Sequence, residues 1–412
     1  MAGEWRERTL GELTENFDAT RVPVKEADRR SGPYPYYGAS GIVDHVDAFL
    51  FDGEYLLVAE DGENLRTRTT PVAFLARGKF WVNNHAHIVR GNKEADTRFL
   101  MYSLAVADIS GYLTGSAMPK LTQGNLNRIP VLTPPLPEQC AIAHILGTLD
   151  DKIELNRKMS ETLEAMARAL FKSWFVDFDP VRAKMEGRDP GLPRQIADLF
   201  PSRMVESELG EIPEGWEAGI LGDAAEHPRR GIQPDEVAPD TPYIALEHMP
   251  KQCIALSEWG TADGLESNKL QFKKGEILFG KLRPYFHKVG VAPTDGVCST
   301  DIVVLAPRSK EWLGVVLGHV SSGAFVEYTN AGSTGTKMPR TSWHDMARYP
   351  IALPPEPLAV TFTRLVQPSV ERTVAGIHES HALAALRDTL LPKLISGELC
   401  VEDAERVLEE IA

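Results

Sequence analysis

The sequence EQCAIAHILGTLDDKIELNRKMSETLEAMARALFKSWF, residues 138–175, runs without proline and contains a single glycine, Gly147. Apolar residues recur in it at steps of three and four, and Met166 continues the stripe. Five positions follow a strict seven-residue spacing: Ile142, Leu149, Asn156, Leu163 and Leu170. This spacing predicts a long helix, about 57 Å at 1.5 Å per residue, that packs as a coiled coil with Asn156 fixing its register. An amphipathic helix on a globular core fits the pattern equally well.

A second segment, residues 358–394, carries the same apolar stripe, which includes Leu383, Leu386 and Leu390. It also contains Pro368 and Gly376. Because proline lacks the amide hydrogen that an interior helical position donates, we expect a kink or break near Pro368. Two long helices with matching stripes most simply pack against one another antiparallel.

The two stripes belong to a repeat that covers the whole chain. Trp5 and Leu10-Gly11-Glu12 return 211 residues later as Trp216 and Leu221-Gly222-Asp223. Met118-Pro119-Lys120 returns 220 residues later as Met338-Pro339-Arg340. The chain is therefore predicted to be two copies of one unit, each a domain followed by a helix. Either this is a duplication without functional meaning, or the two domains recognise different targets on a shared frame.

Each domain is predicted to be rich in strands. Short apolar runs bounded by turn residues are typical of buried strands, and they occur at residues 54–59, 86–89, 276–279 and 301–305. Short helices are expected at residues 97–107 and 311–320. The predicted fold class is therefore α+β, with two similar strand-rich domains joined by two long antiparallel helices in a pseudo-two-fold arrangement.

Composition limits the protein class. A length of 412 residues predicts two or three domains, and 43% hydrophobic with 25% charged residues excludes wholesale disorder. The formal net charge of −14 argues against a surface that is basic throughout, but not against one basic groove. The four cysteines form no C-x-x-C pair. No signal peptide or membrane-spanning run is evident, so we expect a cytoplasmic protein.

The motifs that could carry catalysis are weak. Residues 275–282 nearly match a phosphate-binding loop, but Leu282 replaces the hydroxyl residue that would hold magnesium. His85 and His87 have no obvious third metal ligand, and His378 and His381 receive the same structural interpretation. Asp150-Asp151-Lys152 is more simply a solvated helix face than a nuclease site. We therefore predict no catalytic residue and no metal site in this chain.

Basic residues in loops beside aromatic and polar ones indicate a surface for nucleic acid, although solvated surface charge is the default interpretation. The clusters occur at comparable places in both domains. The candidate DNA-binding residues are Arg66, Arg68, Lys79, Lys120, Lys281, Arg283, Lys337 and Arg340. The loops at residues 115–120 and 332–340 recur in both halves, and their amides and basic ends suit either an anion or a structural turn.

Several motifs in fixed order resemble one known family. They are Trp5 with Leu10, Trp216 with Leu221, Pro119-Lys120-Leu121-Thr122 with Asn125 and Ile129-Pro130, Pro135-Leu136-Pro137-Glu138-Gln139, Leu149-Asp150, Ala169-Leu-Phe-Lys-Ser-Trp-Phe175 with Asp177-Phe178, and Leu390-Leu391 with Leu394-Ile395-Ser396-Gly397-Glu398-Leu399. Over nearly its whole length the chain resembles the specificity (S) subunits of type I restriction–modification systems. It departs from their pattern at Pro368 and at Pro355-Glu356-Pro357-Leu358, which matches only loosely.

This resemblance implies a DNA sequence-recognition subunit that is not itself an enzyme. Two target recognition domains, 1–137 and 213–357, would each recognise one half of a bipartite site in double-stranded DNA. Two spacer helices, 138–180 and 358–395, would set the half-site separation, below about 17 base pairs at 3.4 Å per pair. A connector, 181–212, and a C-terminal tail, 396–412, complete this division.

The resemblance also implies partners and cofactors. Two methyltransferase subunits would dock on the helices, and motor-nuclease subunits would join them. The chain itself would hold no cofactor, whereas S-adenosylmethionine, ATP and Mg would be bound by the partners. A helical scaffold that does not bind DNA and a stand-alone nuclease are the alternatives that remain open.

Overall fold

The computed structural model describes residues 5–335 and 338–411 of the chain. The chain divides into two compact units, one comprising Met1–Lys152 and Ala382–Ala412 and the other comprising Ile153–His381. Each unit contains a strand-rich domain and part of each of two long helices. In the described part of the chain, no helix is long and apolar enough to cross a membrane.

The first unit is built on a six-stranded sheet with the order β2-β7-β5-β6-β3-β4, antiparallel except for the β3–β6 pair, and a separate antiparallel β1–β8 pair. Its elements before the first long helix are β1 (Arg6–Thr9), α1 (Leu10–Leu13), β2 (Thr14–Asn16), β3 (Tyr34–Gly38), β4 (Gly41–Val46), β5 (Phe51–Ala59), α2 (Asn64–Thr67), β6 (Ala73–Val82), β7 (Ala86–Gly91), α3 (Thr97–Val106), α4 (Gln123–Leu126) and β8 (Pro130–Thr133). The first long helix, α5 (Leu136–Phe175), follows.

The second unit contains a four-stranded sheet, β12-β20-β17-β18, a five-stranded sheet, β13-β16-β19-β14-β15, and the pairs β9–β10 and β11–β21. Its elements are α6 (Asp179–Met185), α7 (Arg194–Ala197), β9 (Met204–Ser207), β10 (Gly210–Pro213), β11 (Glu217–Ile220), α8 (Leu221–Ala224), β12 (Ala225–Glu226), β13 (Gly231–Ile232), β14 (Pro242–Ile244), β15 (Gly260–Thr261), β16 (Lys269–Phe272), β17 (Ile277–Gly280), β18 (Val289–Val291), β19 (Gly296–Cys298), β20 (Ile302–Pro307), α9 (Leu313–Val320), α10 (Gly323–Ala331), α11 (Trp343–Met346) and β21 (Pro350–Leu353). The second long helix, α12 (Glu356–Ser396), and a terminal helix, α13 (Val401–Ile411), complete the chain.

The two long helices are 40 and 41 residues long, and within the second unit they pair antiparallel. The Phe175 ring near the end of α5 lies 4.7 Å from the Phe362 ring near the start of α12. Farther back along α5, Asn156 contacts Gly376 of α12. In the first unit, Ile142 and Leu390 belong to one buried cluster. The predicted fold class, two strand-rich domains with two long antiparallel helices, is confirmed.

The helix does not break at Pro368, because α12 is continuous from Glu356 to Ser396, and the kink expected there as the alternative stays a prediction. Proline still removes one backbone hydrogen bond from the helix interior. Its neighbours Val366 and Val370 are both buried in apolar clusters of the second unit. Packing of this face compensates for the lost hydrogen bond, so tertiary contacts override the local preference.

Residues 56–59 of β5 and 277–279 of β17 are buried on both faces of their strands, which explains their uninterrupted apolar sequence. In β5, Leu56 and Val58 lie in one apolar cluster and Leu57 lies in another. In β17, Ile277 and Phe279 lie in one cluster and Leu278 lies in a second. Because side chains alternate between the faces of a strand, a cluster on each face requires an apolar residue at every position.

The repeated Leu-Gly-acid motif is one local structure built twice. The Leu10 N–H donates to the Ile129 carbonyl at 2.9 Å, and the Leu221 N–H donates to the Tyr349 carbonyl at 2.8 Å. The glycine that follows packs too closely against Asn127 for a side chain to fit, since a Cβ on Gly11 would meet the Asn127 Cβ at 2.9 Å. The acidic residue then caps the helix by accepting from a backbone N–H, as Glu12 does from Thr9 at 2.8 Å.

Candidate nucleic-acid interface

Each unit presents the same turn directly after its central strand. Turn 1 is residues 60–66, and turn 2 is residues 281–287. The Glu60 N–H donates to the His85 carbonyl at 2.8 Å, and the Lys281 N–H donates to the Asp301 carbonyl at 2.9 Å. Turn 1 and turn 2 are therefore fixed to the neighbouring strand at the same point.

The equivalence continues residue by residue through both turns. The Gly62 N–H donates to the Pro119 carbonyl at 3.1 Å, and the Arg283 N–H donates to the Pro339 carbonyl at 2.7 Å. Within the turns, the Leu65 N–H donates to the Gly62 carbonyl and the Phe286 N–H donates to the Arg283 carbonyl. Gly62 and Arg283 both have positive φ, at 115° and 51°. The two turns thus share these backbone hydrogen bonds while their side chains differ. Their backbones diverge at the last position, since Arg66 lies in α2 whereas His287 has a φ of 52°.

A recurring loop lies beside each turn: loop 1 is residues 114–120 and loop 2 is residues 334–340, of which 336 and 337 lie outside the described residues. Thr114 and Lys120 exchange backbone hydrogen bonds of 2.8 and 2.7 Å, and Thr334 and Arg340 exchange bonds of 3.1 and 3.0 Å. At Gly115, φ is 86° and a Cβ would meet the Met118 carbonyl oxygen at 2.3 Å. This close approach explains the glycine at the start of the motif, and each loop is a structural turn. Anion binding by these loops stays a prediction.

Three of the four candidate residues of the first unit bond to their own unit. A terminal nitrogen of Arg66 donates to the Gly115 carbonyl at 3.0 Å. The Arg68 guanidinium donates to the Ala105 carbonyl at 3.2 Å, at the end of α3. The Lys120 ammonium lies 3.1 Å from the Glu60 carboxylate. The fourth, Lys79, is exposed and lies 4.7 Å from the centre of the Phe49 ring.

The candidate residues of the second unit are less engaged. Lys281 has no ion pair with any residue that the structure describes, and Lys337 lies outside the described residues. Arg283 has a buried Nε without a hydrogen-bond partner in the described chain. Arg340 pairs with Asp301 at 2.8 Å. Lys281 and Arg283 are therefore half-buried cations without an ion pair in the described chain, whereas Arg66 and Lys120 of the first unit are exposed but engaged.

Beneath turn 1 lies a buried charge network that the sequence did not reveal. The Arg21 guanidinium donates to Glu60 at 2.7 Å, and the His87 Nδ1 donates to Asp18 at 2.5 Å. The other ring nitrogen of His87 donates to the Leu121 carbonyl at 2.7 Å. Because both partners of the imidazole are acceptors, this geometry requires a charged His87.

The network shifts several pKa values. Burial acts to lower the pKa of His87, but the hydrogen bonds to Asp18 and to the Leu121 carbonyl outweigh it and raise that pKa above its ordinary value. Burial likewise acts to raise the pKa of Asp18, but the His87 ring outweighs it and the pKa of Asp18 is lowered. The same balance, with Arg21 and Lys120 as the partners, lowers the pKa of Glu60. The network therefore holds turn 1 and loop 1 together through charges.

The seam residues predicted for helix packing are buried or half-buried along α5 and α12. Ile142, Leu149, Asn156 and Leu390 are buried, and Leu163, Leu170, Leu383 and Leu386 are half-buried. Met166 is an exception, because 64% of its surface is exposed. It therefore lies at the exposed margin of the seam that contains Leu163 and Leu170.

Asn156 is 3% exposed and makes polar contacts across the helix pair. Its Nδ2 donates to the Glu379 carboxylate at 2.9 Å and lies 3.3 Å from the Ser380 hydroxyl. Its Oδ1 accepts from Arg372 at 3.3 Å. These contacts suit the register-fixing role predicted from the sequence, since they are met in only one alignment of the helices.

Asp151 lies on the solvated helix face that the sequence suggested, with 57% of its side chain exposed, whereas Asp150 is half-buried. Asp150 accepts from the Tyr102 hydroxyl at 2.5 Å and from Arg387 at 2.7 Å, while Asp151 accepts two bonds from Arg98, of 3.1 and 3.0 Å. Burial and the Asp150 carboxylate raise the pKa of Tyr102. This pair therefore fastens the first domain to the helices of its own unit.

The other motifs have structural roles. His85 lies 2.9 Å from Asp61, and His378 and His381 donate to backbone carbonyls of residues 293 and 257. Residues 277–280 of the phosphate-loop match form strand β17. Among the described residues, no group of three His, Cys, Asp or Glu side chains is placed to hold a metal ion.

Comparison with known proteins gives matches over the whole chain. A family profile described as "Type I restriction modification DNA specificity domain" matches residues 2–165. The MjaIX type I specificity subunit of Methanocaldococcus jannaschii is 24% identical, with 97% of each chain covered. The EcoDI specificity subunit of Escherichia coli is 25% identical over 97% of this chain and 89% of its own. A solved S subunit from M. genitalium shares the fold, with a TM-score of 0.60 at 14% identity over 95% of this chain and 96% of that one.

Proposed function

Because this chain belongs to the specificity subunits of type I restriction–modification systems, we propose that it selects the DNA sequence on which a larger complex acts. One half of a bipartite target is recognised by each of the two strand-rich domains. The observation that carries the proposal is the duplicated turn beside a duplicated loop, which keeps its backbone hydrogen bonds and changes its side chains between the units. Such a frame supports two different recognition surfaces, whereas a duplication without function would not require the side chains to diverge at this point.

The chain supplies recognition and no catalysis in this proposal. Two methyltransferase subunits that bind S-adenosylmethionine dock on α5 and α12, and motor-nuclease subunits that use ATP and Mg join them. The complex acts on double-stranded DNA in the cytoplasm. A scaffold that binds no DNA, or a stand-alone nuclease, would need a different surface or a reaction centre, and no observation favours either.

Cationic side chains position the DNA in this account, and base contacts give the specificity. The candidate cations are those of the two turns and loops, together with Lys79. Because the formal net charge is −14, most of the surface repels phosphates, so the affinity comes from these local positions and from the partner subunits. Binding should therefore weaken as salt is raised.

The two long helices act as the spacer between the half-sites. A 40-residue helix spans about 60 Å, so the half-sites lie less than about 18 base pairs apart at 3.4 Å per pair. The Asn156 contacts with α12 fix the alignment of the helices and hence the spacing.

The experiment that tests the proposal exchanges residues 1–137 for the same segment of another family member. The chimaera is assembled with its methyltransferase partner, and methylated sites are mapped. The expected result is a change in one half-site, with the other half-site and the spacing retained. A change in both half-sites, or in neither, would contradict recognition of one half-site by each domain.

A further inference from the structure

We propose that Tyr285 of turn 2 contacts a base in the half-site of the second unit, whereas the equivalent position of turn 1, Asn64, makes no contact with DNA. The inference rests on the proposed function and adds to it a specificity-determining residue. The shared backbone hydrogen bonds pair Leu65 with Phe286, so the residues immediately before them, Asn64 and Tyr285, are equivalent.

The Asn64 side chain is committed to its own unit. Its Nδ2 donates to the Thr70 carbonyl at 3.0 Å. Its Oδ1 accepts from the Thr70 N–H at 2.9 Å and from the Thr69 hydroxyl at 3.1 Å. Both acceptor positions and one of the two donor hydrogens of this amide are occupied, so a single N–H remains to bond to the edge of a base. Turn 1 is therefore closed by its own hydrogen bonds.

Tyr285 is in the opposite situation. Its side chain is 49% exposed, and its hydroxyl has no hydrogen-bond partner in the described part of the chain. Its ring packs on the half-buried Phe286 ring, with 4.8 Å between the ring centres and an angle of 61°. The ring is thus supported from below, and its edge and hydroxyl are free to meet a ligand.

The backbone holds Tyr285 in place at both ends of the turn. Arg283 and His287 have φ of 51° and 52°, values that are costly for residues with a side chain. Arg283 is tied to loop 2 through its N–H. The His287 carbonyl accepts from the Gln252 N–H at 2.8 Å, and its ring donates to the Ser321 carbonyl at 2.9 Å. Strain that the surroundings hold so firmly is typical of functional positions.

Charge distinguishes the turns as well. Turn 1 carries three carboxylates and one guanidinium, whereas turn 2 carries one ammonium, one guanidinium and no carboxylate. A further cation, Lys251, lies 4.6 Å from the centre of the Phe286 ring. Phosphates are therefore attracted more strongly to turn 2 than to turn 1, whose carboxylates pair with neighbouring cations. A rigid exposed aromatic side chain among cations suits a base at the point where the flanking phosphates are held.

The test uses the complex of this chain with its methyltransferase partner and the target obtained by methylation mapping. Binding is measured for the intact duplex and for duplexes that carry one base-pair substitution at each position of either half-site. The variants are Tyr285→Ala and Tyr285→Phe, with Glu63→Ala in turn 1 as the matched control. Glu63 corresponds to Pro284, is exposed, and is removed without loss of a buried contact.

Tyr285→Ala should weaken binding to the intact duplex by about tenfold or more, in the range of a lost base contact. It should also abolish discrimination at one or two adjacent positions of one half-site, with the other half-site unaffected. Tyr285→Phe should retain the discrimination if the ring makes the contact and lose it if the hydroxyl does. Glu63→Ala should leave the pattern of discrimination unchanged.

Two results would overturn the inference. One is equal weakening on all duplexes with discrimination retained, which would make Tyr285 a phosphate contact. The other is wild-type behaviour of a folded Tyr285→Ala variant, with its thermal unfolding unchanged. If the wild-type complex itself showed no preference among the duplexes, the proposed function would fail, and the two failures are thereby distinguishable.

Discussion

Replacing Asn156 by alanine removes a buried polar contact between the two long helices in the second unit. The variant loses the 2.9 Å hydrogen bond to the Glu379 carboxylate and the 3.3 Å bond from Arg372. A hydrogen bond to a charged group contributes about 1.5–3 kcal/mol to stability. The Glu379 and Arg372 side chains are 36% and 38% exposed, so water replaces part of what is lost. Alanine also has the higher helix propensity, by about 0.6 kcal/mol. We therefore expect a net loss of about 1–2 kcal/mol.

Two further substitutions test the same contact between the helices. Asn156→Asp keeps the shape but places a second carboxylate against Glu379, so it should cost more at neutral pH, about 2–3 kcal/mol, and recover as acid protonates the pair. Gly376→Ala is the matched control, because the nearest atoms to its new Cβ are Asn156 atoms at 3.7 Å and an Arg372 nitrogen at 3.9 Å, which are ordinary contact distances. This helical Gly→Ala change should stabilise the pair by up to about 1 kcal/mol.

The assay is hydrogen exchange of the purified chain, followed in peptides from residues 153–163 and 372–381. A local measurement is needed because a chain of two units does not have to unfold in one step. Faster exchange in both peptides is expected for Asn156→Ala and slower exchange for Gly376→Ala. Unchanged or slower exchange in Asn156→Ala would refute the view that this residue stabilises the aligned pair.

Three further outcomes are expected. Because the pKa of His87 is raised, its contribution to the free energy of unfolding is complete below about pH 6.5 and is lost as the pH rises through the raised pKa. Because the pKa of Asp18 is lowered, its contribution is complete above about pH 4 and is lost as the pH falls through the lowered pKa. The difference in the free energy of unfolding between the wild type and His87→Gln, measured with urea, should therefore be largest between these two pH limits. A difference that does not depend on pH would contradict this. Tyr102→Phe should cost about 1–2 kcal/mol, because Asp150 loses its 2.5 Å hydrogen bond, and equal urea midpoints would count against it. Adding four residues to α5 between Leu149 and Leu163 lengthens it by about 6 Å, so mapped half-sites should move apart by about two base pairs, and an unchanged spacing would eliminate the spacer role.

The long helices could be predicted to within a few residues because their signal is local and repeated. Residues 138–175 carry five seam positions at a constant seven-residue spacing, and the observed helix is Leu136–Phe175. The prediction extended the helix to residue 180, but α5 ends at Phe175, and Phe178, whose φ is 55°, already precedes the next helix, α6. Pro368 does not break the helix, since its local cost is offset by packing of residues that are distant in sequence.

The binding surface was less accessible to sequence reasoning. Basic loop residues look alike in a sequence, but Arg66 and Arg68 bond to carbonyls of their own unit, which only the folded chain reveals. The equivalence of turn 1 and turn 2 was also hidden, because it is carried by backbone hydrogen bonds and its side chains have no identity in common. Tyr285 stood in a basic and aromatic cluster of the sequence, and its exposure singles it out.

The central claim, recognition of a bipartite target, is tested most directly by mapping methylated adenines in cells that contain this chain and its methyltransferase partner. The account predicts a motif of two short specified segments separated by a fixed number of unspecified bases, and loss of that methylation when the chain is deleted. A single continuous motif, or methylation that persists without the chain, would contradict the account.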